Sequence, residues 1–333
     1  MANNNFKPFA AAGGANVMTQ ADYEALAALL TGFQSGTAQS QQLNKVWRQS
    51  SIMAAVLAQF IVDLTGQDAI DDGTTATLLA NLKTAVQAQS AAVVGQARNV
   101  AMSIAAASTN ATLTADEVVV GTALGGQKYL LKQFSKTINL ATAGAGGMDT
   151  GAAPNSGYVA LYAIYNPVTG TNALLATNAT SAVAPTVYGG ANMPAGYAAS
   201  ALLSVWPTDS SGRLIVGFQR DRSISITSSA AITTSSNASS QTSLSIAGIV
   251  PPNAKSISGV LHEASTATAS CTATITPGLG SVGGQNIAGV LSASQVSECN
   301  YSITLLTQQT VFYTTVVTAG TPTFIIYISG YTI

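Results

Sequence analysis

Thr323-Phe324-Ile325-Ile326-Tyr327-Ile328-Ser329 is a β-branched and aromatic run with no breaker inside it, the composition of a strand. Side chains alternate along a strand, so Phe324, Ile326 and Ile328 face one way and Ile325 and Tyr327 the other. Both faces are apolar, and both need a cover. In a terminal module of this size the second cover is expected from another copy of the chain.

The run sits in a segment, residues 223–333, whose only charged side chains are Lys255, Glu263 and Glu298. Disorder goes with low hydrophobicity and high net charge, and this segment has the opposite balance. Thr, Ser, Ala, Gly and Val dominate, with strand candidates at 244–250, 256–262, 267–276, 301–307, 310–318 and 323–329. Their spacing predicts a β-sandwich, reached through a Ser/Thr-rich bridge at 223–242. Across all 333 residues the charged share is 8% and the net charge is −1, which argues against nucleic-acid binding. A surface so poor in charge is expected to be covered by partner chains.

Upstream the period changes. Residues 1–18 have no periodicity and contain Phe6, Pro8 and Phe9, as an extended arm that must lie against something. Thr19 caps a first helix, with Asp22 favouring its dipole. From Leu43 the apolar positions are Leu43, Val46, Met53, Leu57, Phe60 and Leu64, interrupted only by Ser50, a 3,4 spacing over three heptads. Asp68, Asp71, Asp72 and Gly73 break the helix. The spacing resumes through Leu79, Leu82, Val86, Gln89, Val93, Gln96 and Val100. Polar residues in such a seam fix register and oligomer state, so the pattern is read as a parallel stalk, taken as a trimer.

Between these regions lie β-type runs at 116–120, 128–140, 158–165, 198–206 and 214–220. The expected fold class is mixed α and β: amino-terminal helices and a coiled-coil-like stalk, then a β-rich middle domain and a carboxy-terminal β-sandwich, in an intertwined homotrimer. The divisions are 1–40 for arm and first helix, 41–110 for the stalk, 111–222 for the middle domain and 223–333 for the distal module.

The sequence carries no recognisable catalytic constellation. His262, the one histidine, has no partner motif and reads as a surface histidine beside Glu263. Gly278-Leu-Gly-Ser-Val-Gly283 follows Pro277 and precedes another β-type region, so it reads as a hairpin loop and not a dinucleotide turn. The Asp68–Gly73 stretch places Ile70 and Leu79 where a calcium loop needs oxygens. No carboxylate pair is nominated for glycan cleavage. No enzyme activity, cofactor or metal is therefore expected. Asn300, Tyr301, Tyr313, Tyr327 and Tyr331 are the candidates for binding, because ring faces stack on sugars or protein while amides and hydroxyls supply hydrogen bonds. Cys271 and Cys299 read as buried free thiols. The start of the chain lacks a basic segment followed by an apolar core, so the expectation is a soluble protein made in the cytoplasm.

Phe6-Lys-Pro-Phe9, Gly13-Gly-Ala-Asn-Val-Met-Thr-Gln20, Asp22-Tyr-Glu-Ala-Leu-Ala-Ala-Leu-Leu-Thr-Gly-Phe33 and the run from Gln42 to Gln59 resemble the amino-terminal region of tail fibre proteins of tailed bacteriophages. Residues 150–206, with Tyr188-Gly-Gly-Ala-Asn-Met-Pro-Ala-Gly-Tyr197, are similar to a middle domain of the same proteins. The resemblance is close over residues 1–222 and looser beyond. It implies a homotrimeric virion appendage, attached to other phage tail proteins near Phe6, Pro8, Phe9 and Tyr23. Its distal module would then meet a bacterial surface glycan or outer-membrane protein. The alternative is a structural connector whose distal end docks another virion protein.

Overall fold

The computed structural model describes residues 2–36, 39–88 and 92–333, which form two compact units, residues 1–91 and 92–333. Strand accounts for 43% of the chain and helix for 15%.

The first unit holds α1 (Gln20–Glu24), α2 (Ala28–Thr31), α3 (Ser40–Thr65) and α4 (Ala76–Ala88). Thr19 caps α1, its Oγ1 accepting from Asp22 N at 3.1 Å. Gly66 ends α3 in the left-handed region at φ 66°, and its N–H donates to Val62 O. Asp72 then accepts from both the N–H and the hydroxyl of Thr74, at 2.8 Å each, and these bonds hold its carboxyl below the usual range. The amino-terminal arm runs back along α3. Asn4 Nδ2 donates to Ala55 O at 3.1 Å, Phe9 N to Ser51 Oγ at 2.8 Å, and Asn44 Nδ2 to Asn16 O at 2.7 Å.

The long coiled-coil stalk is not formed. Helices α3 and α4 pack against each other, and Leu57, Leu79 and Leu82 line an apolar groove of about 290 Å³ with Phe6 and Ile61. A 3,4 spacing describes any helix lying along a helix, and here much of it is used within one chain. Met53, Leu57, Leu79 and Val86 nevertheless remain exposed, while Leu43, Val46, Phe60 and Leu64 are half-buried. Gln89 lies outside the described residues. Val93 and Gln96 flank a turn whose Gly95 has φ 88°, and Asn99 is left-handed at φ 54°, so no helix continues through them. Val100 is 3% exposed in the core of the second unit.

That unit is antiparallel β-structure. Its strands are β1 (Ala97–Arg98), β2 (Ala101–Ile104), β3 (Asn110–Gly121), β4 (Lys128–Asn139), β5 (Tyr158–Tyr165), β6 (Asn172–Asn178), β7 (Ala199–Pro207) and β8 (Gly217–Arg220). They continue as β9 (Ser223–Thr234), β10 (Ala238–Ser245), β11 (Ser256–Ser265), β12 (Ala269–Thr276), β13 (Gln285–Leu291), β14 (Val296–Thr304), β15 (Thr310–Val317) and β16 (Pro322–Thr332). A twelve-stranded sheet has the order β14-β11-β16-β9-β8-β2-β3-β7-β5-β6, with β1 and β4 also paired to β3. A four-stranded sheet has the order β10-β15-β12-β13.

The separate terminal β-sandwich is corrected by β9. This strand pairs with β8 on one side and β16 on the other, so the larger sheet passes without a break across residue 223. The Ser/Thr-rich stretch that resembles a linker is a strand whose Ile224 and Ile226 enter the core. Leu261, Phe324 and Ile326 of the large sheet and Cys271, Ile275 and Val311 of the small one belong to the same core cluster as Leu113, Phe134 and Leu161. Strand β5 is buried on both faces. Its other face, Tyr158, Ala160, Tyr162 and Ile164, is covered by Ala184, Tyr188, Met193 and Tyr197 from the chain between β6 and β7. An intertwined arrangement is not needed to cover β16 either: Ile325 and Tyr327 are half-buried against neighbours on their own sheet.

Candidate functional site

The register of the large sheet collects chemistry that is scattered in sequence. On β11, Ile257, Leu261 and Glu263 point into the core, which leaves Ser256, Ser258, Val260 and His262 on the outer face. Val260 pairs with Asn300 on β14 and Tyr327 on β16, and His262 pairs with Glu298 and Ile325 on the same two strands. Asn300, Tyr327, His262 and Glu298 therefore form two adjacent rows on one accessible face.

His262 Nδ1 lies 3.0 Å from Glu298 Oε1, with the glutamate side chain 57% exposed. The imidazole stands edge-on to the Tyr327 ring, at 6.5 Å between centroids and 90° between planes. A contact this open is worth little to stability, about 0–1 kcal/mol, but it fixes the ring beside a second aromatic. The result is a ring surface flanked by a carboxylate and the amide of Asn300, which is exposed at the sheet edge. Such a surface can stack on a sugar or side chain and bond its polar edge.

The other binding candidates are structural. Tyr301 is 4% exposed and its hydroxyl donates to Tyr327 O at 2.8 Å. Tyr331 is 2% exposed and its hydroxyl donates to Val205 O at 2.7 Å. Burial pushes both phenols well above their ordinary pKa. Tyr313 is also buried. His262, read from sequence as a surface residue without a partner motif, and Glu298 complete the cluster; only strand register brings residues 36 apart into contact.

Behind the face, Glu263 is fully buried with no hydrogen bond to either carboxylate oxygen. Desolvation raises its pKa, and His262 opposes the shift. Cys271 is buried and its thiol is raised by the same dry surroundings and by Glu263, while Cys299 is exposed on β14; both are free.

In the first unit, Phe9 packs edge-on against Trp47 at 5.7 Å, and the Lys45 ammonium lies 5.7 Å from the Tyr23 ring centroid. Phe6 lines the α3/α4 groove and Pro8 is exposed. All four attachment candidates thus lie on the arm or α1, with Phe6, Phe9 and Tyr23 in contact with the helical hairpin or its ends.

Among the described residues no group of three or more His, Cys, Asp or Glu side chains is arranged to hold a metal ion, and no helix is long and apolar enough to cross a membrane. No family model and no curated protein matches the chain. Among solved structures there is similarity to one described as "Crystal structure of a Bacillus thuringiensis Cry1Da tryptic core variant", at 13% identity and a TM-score of 0.19. The match covers 76% of this chain and 54% of that one, about half its length, and a likeness this weak carries no argument.

Proposed function

We propose that the chain is a non-enzymatic adhesin subunit of the tail-fibre type, carried on a bacteriophage virion, and that it binds bacterial surface glycan through the Tyr327 face. The observation that supports this reading is the convergence of Tyr327, His262, Glu298 and Asn300 on one open sheet face, with a core behind it that holds the face rigid. Two residue types suited to a sugar ring and its hydroxyls stand there, and neither is needed by the core. The resemblance of residues 1–222 to tail fibre proteins supports the virion setting. In that setting the first unit attaches to other tail proteins, and the chain assembles as a homotrimer.

The test is retention of the full chain on immobilised bacterial O-antigens and capsular polysaccharides. Binding to at least one, weakened tenfold or more by Tyr327→Ala with an unchanged melting temperature, is the expected result. Binding that survives both Tyr327→Ala and Asn300→Ala would remove the site. Capture by a purified tail protein through this face, with no glycan bound, would favour the connector reading instead. Light scattering that finds only monomer at all concentrations would rule out the trimer.

A further inference from the structure

The outer face of the large sheet carries a second feature, beyond β9 from Tyr327, where β8, β2, β3 and β4 lie. Register places Thr137 of β4 beside Thr112 of β3, and Phe218 of β8 between Ser103 of β2 and Ser225 of β9. One row along, Ser135 pairs with Thr114, Thr114 with Ala101, Ala101 with Arg220, and Arg220 with Ser223. Strands are about 4.8 Å apart and alternate residues about 6.8 Å, so these side chains form a grid on the scale of a pyranose ring. A groove of about 600 Å³ opens along it, lined by Ser103, Thr112, Thr114, Phe218 and Arg220.

Three properties of the groove restrict its occupant. Phe218 is 53% exposed, a bare ring face in a wall of hydroxyls. Arg220 is exposed and makes no ion pair among the described residues. The carboxylate that follows on the same face of β3, Asp116, is engaged by Asn99 Nδ2 at 2.6 Å. Asp116 does not line the groove; among the described residues that do, Arg220 is the only charged one, and a guanidinium in that position is complementary to a carboxylate, which it bonds through two parallel N–H donors. A ring for stacking, hydroxyls for hydroxyls and one fork for one carboxylate match a sugar acid more closely than a peptide.

We infer that this groove is a binding site for an acidic polysaccharide, with a uronate-type carboxylate on Arg220 and its ring on Phe218. The site is separate from the Tyr327 face and does not depend on it. Neutral hydroxyl rows hold the rest of the chain, and the single cation selects the acidic residue.

Affinity electrophoresis of the full chain in native gels containing polygalacturonate, alginate or hyaluronate tests the assignment. Retardation by at least one polymer is expected, reduced fivefold or more by Arg220→Gln and by Phe218→Ala, and unaffected by Tyr327→Ala. Carboxyl-reduced polymer should not retard the protein. Ser103→Trp, which fills the groove and leaves the charge in place, should abolish the effect, and thermal melting of each variant checks that the fold is kept. The inference is overturned if none of the three polymers retards the wild type or if Arg220→Gln and Ser103→Trp leave retardation intact. Equal retardation by polyglutamate would also overturn it, because the groove would then read charge without sugar. Loss with Tyr327→Ala alone would return the ligand to the other face.

Discussion

Glu263 sits between two sheets beside Cys271, with its neighbours on β11 split between faces: His262 outward, Leu261 and Ser265 inward. Burial disfavours its charged form, so the folded chain keeps the proton to higher pH than the unfolded chain, whose value is near 4.5. Between those two values the folded state binds more protons, and stability falls as pH rises. The stabilising proton is fully present below the unfolded value and lost as pH passes through the folded one. Glu263→Leu should therefore raise stability at pH 7 by about 1–3 kcal/mol and flatten the fall of stability with pH above the unfolded value. Urea denaturation across that range measures both; a wild-type profile with no fall would show that the carboxyl is not dry. Tyr331→Phe tests a contact of the opposite kind. Its hydroxyl is the donor to buried Val205 O, so removal should cost about 1–2 kcal/mol by the same measurement, with no pH dependence.

At the scale of elements, strands were legible where hydrophobic runs are long. Tyr158–Tyr165 and Pro322–Thr332 form close to the expected positions because their side chains leave few alternatives. Strand β9 was hidden, since Ser and Thr serve loops and outer sheet faces equally well and only Ile224 and Ile226 betray the core side. The helical seam misled for a different reason: spacing reports that a helix has a neighbour, not whose helix it is. Beyond residue 92 the seam was chance, because Gly95 and Asn99 occupy left-handed conformations that end any helix. The binding face was half legible. Asn300 and Tyr327 could be nominated by type, but their meeting with His262 and Glu298 depends on pairings set partly by a register shift at Ser258/Gly259. A Cβ on Gly259 would lie 1.8 Å from Tyr327 O, so Gly259→Ala must displace β16 from β11. A loss of stability above about 3 kcal/mol is expected, together with loss of glycan retention at the Tyr327 face; chemical denaturation of a variant near wild-type stability would contradict the pairing.

At the scale of the molecule, the larger sheet makes residues 92–333 one cooperative body despite the change in composition at residue 223. Its two ends are tied by bonds far apart in sequence: Tyr158 Oη donates to Ala247 O at 2.8 Å, Ala184 N to Asn253 Oδ1 at 2.8 Å, and Ile333 N to Arg222 O at 3.1 Å. Cutting at residue 223 exposes the β9 edge that β8 covers and removes Val205 O from Tyr331. The charge-poor segment is therefore expected to be insoluble or markedly less stable as a fragment 223–333 than within 92–333. Trp206, fully buried with Nε1 donating to Ile215 O at 3.0 Å, reports from the middle of the sheet. In a fragment 92–333, which lacks Trp47, its fluorescence and the far-UV signal should lose structure at the same denaturant concentration. Two separated transitions would mean that the sheet is mechanically divided near β8/β9. In that case the Phe218 groove and the Tyr327 face would belong to independently folding modules, and a polymer spanning both would couple their stabilities only when bound.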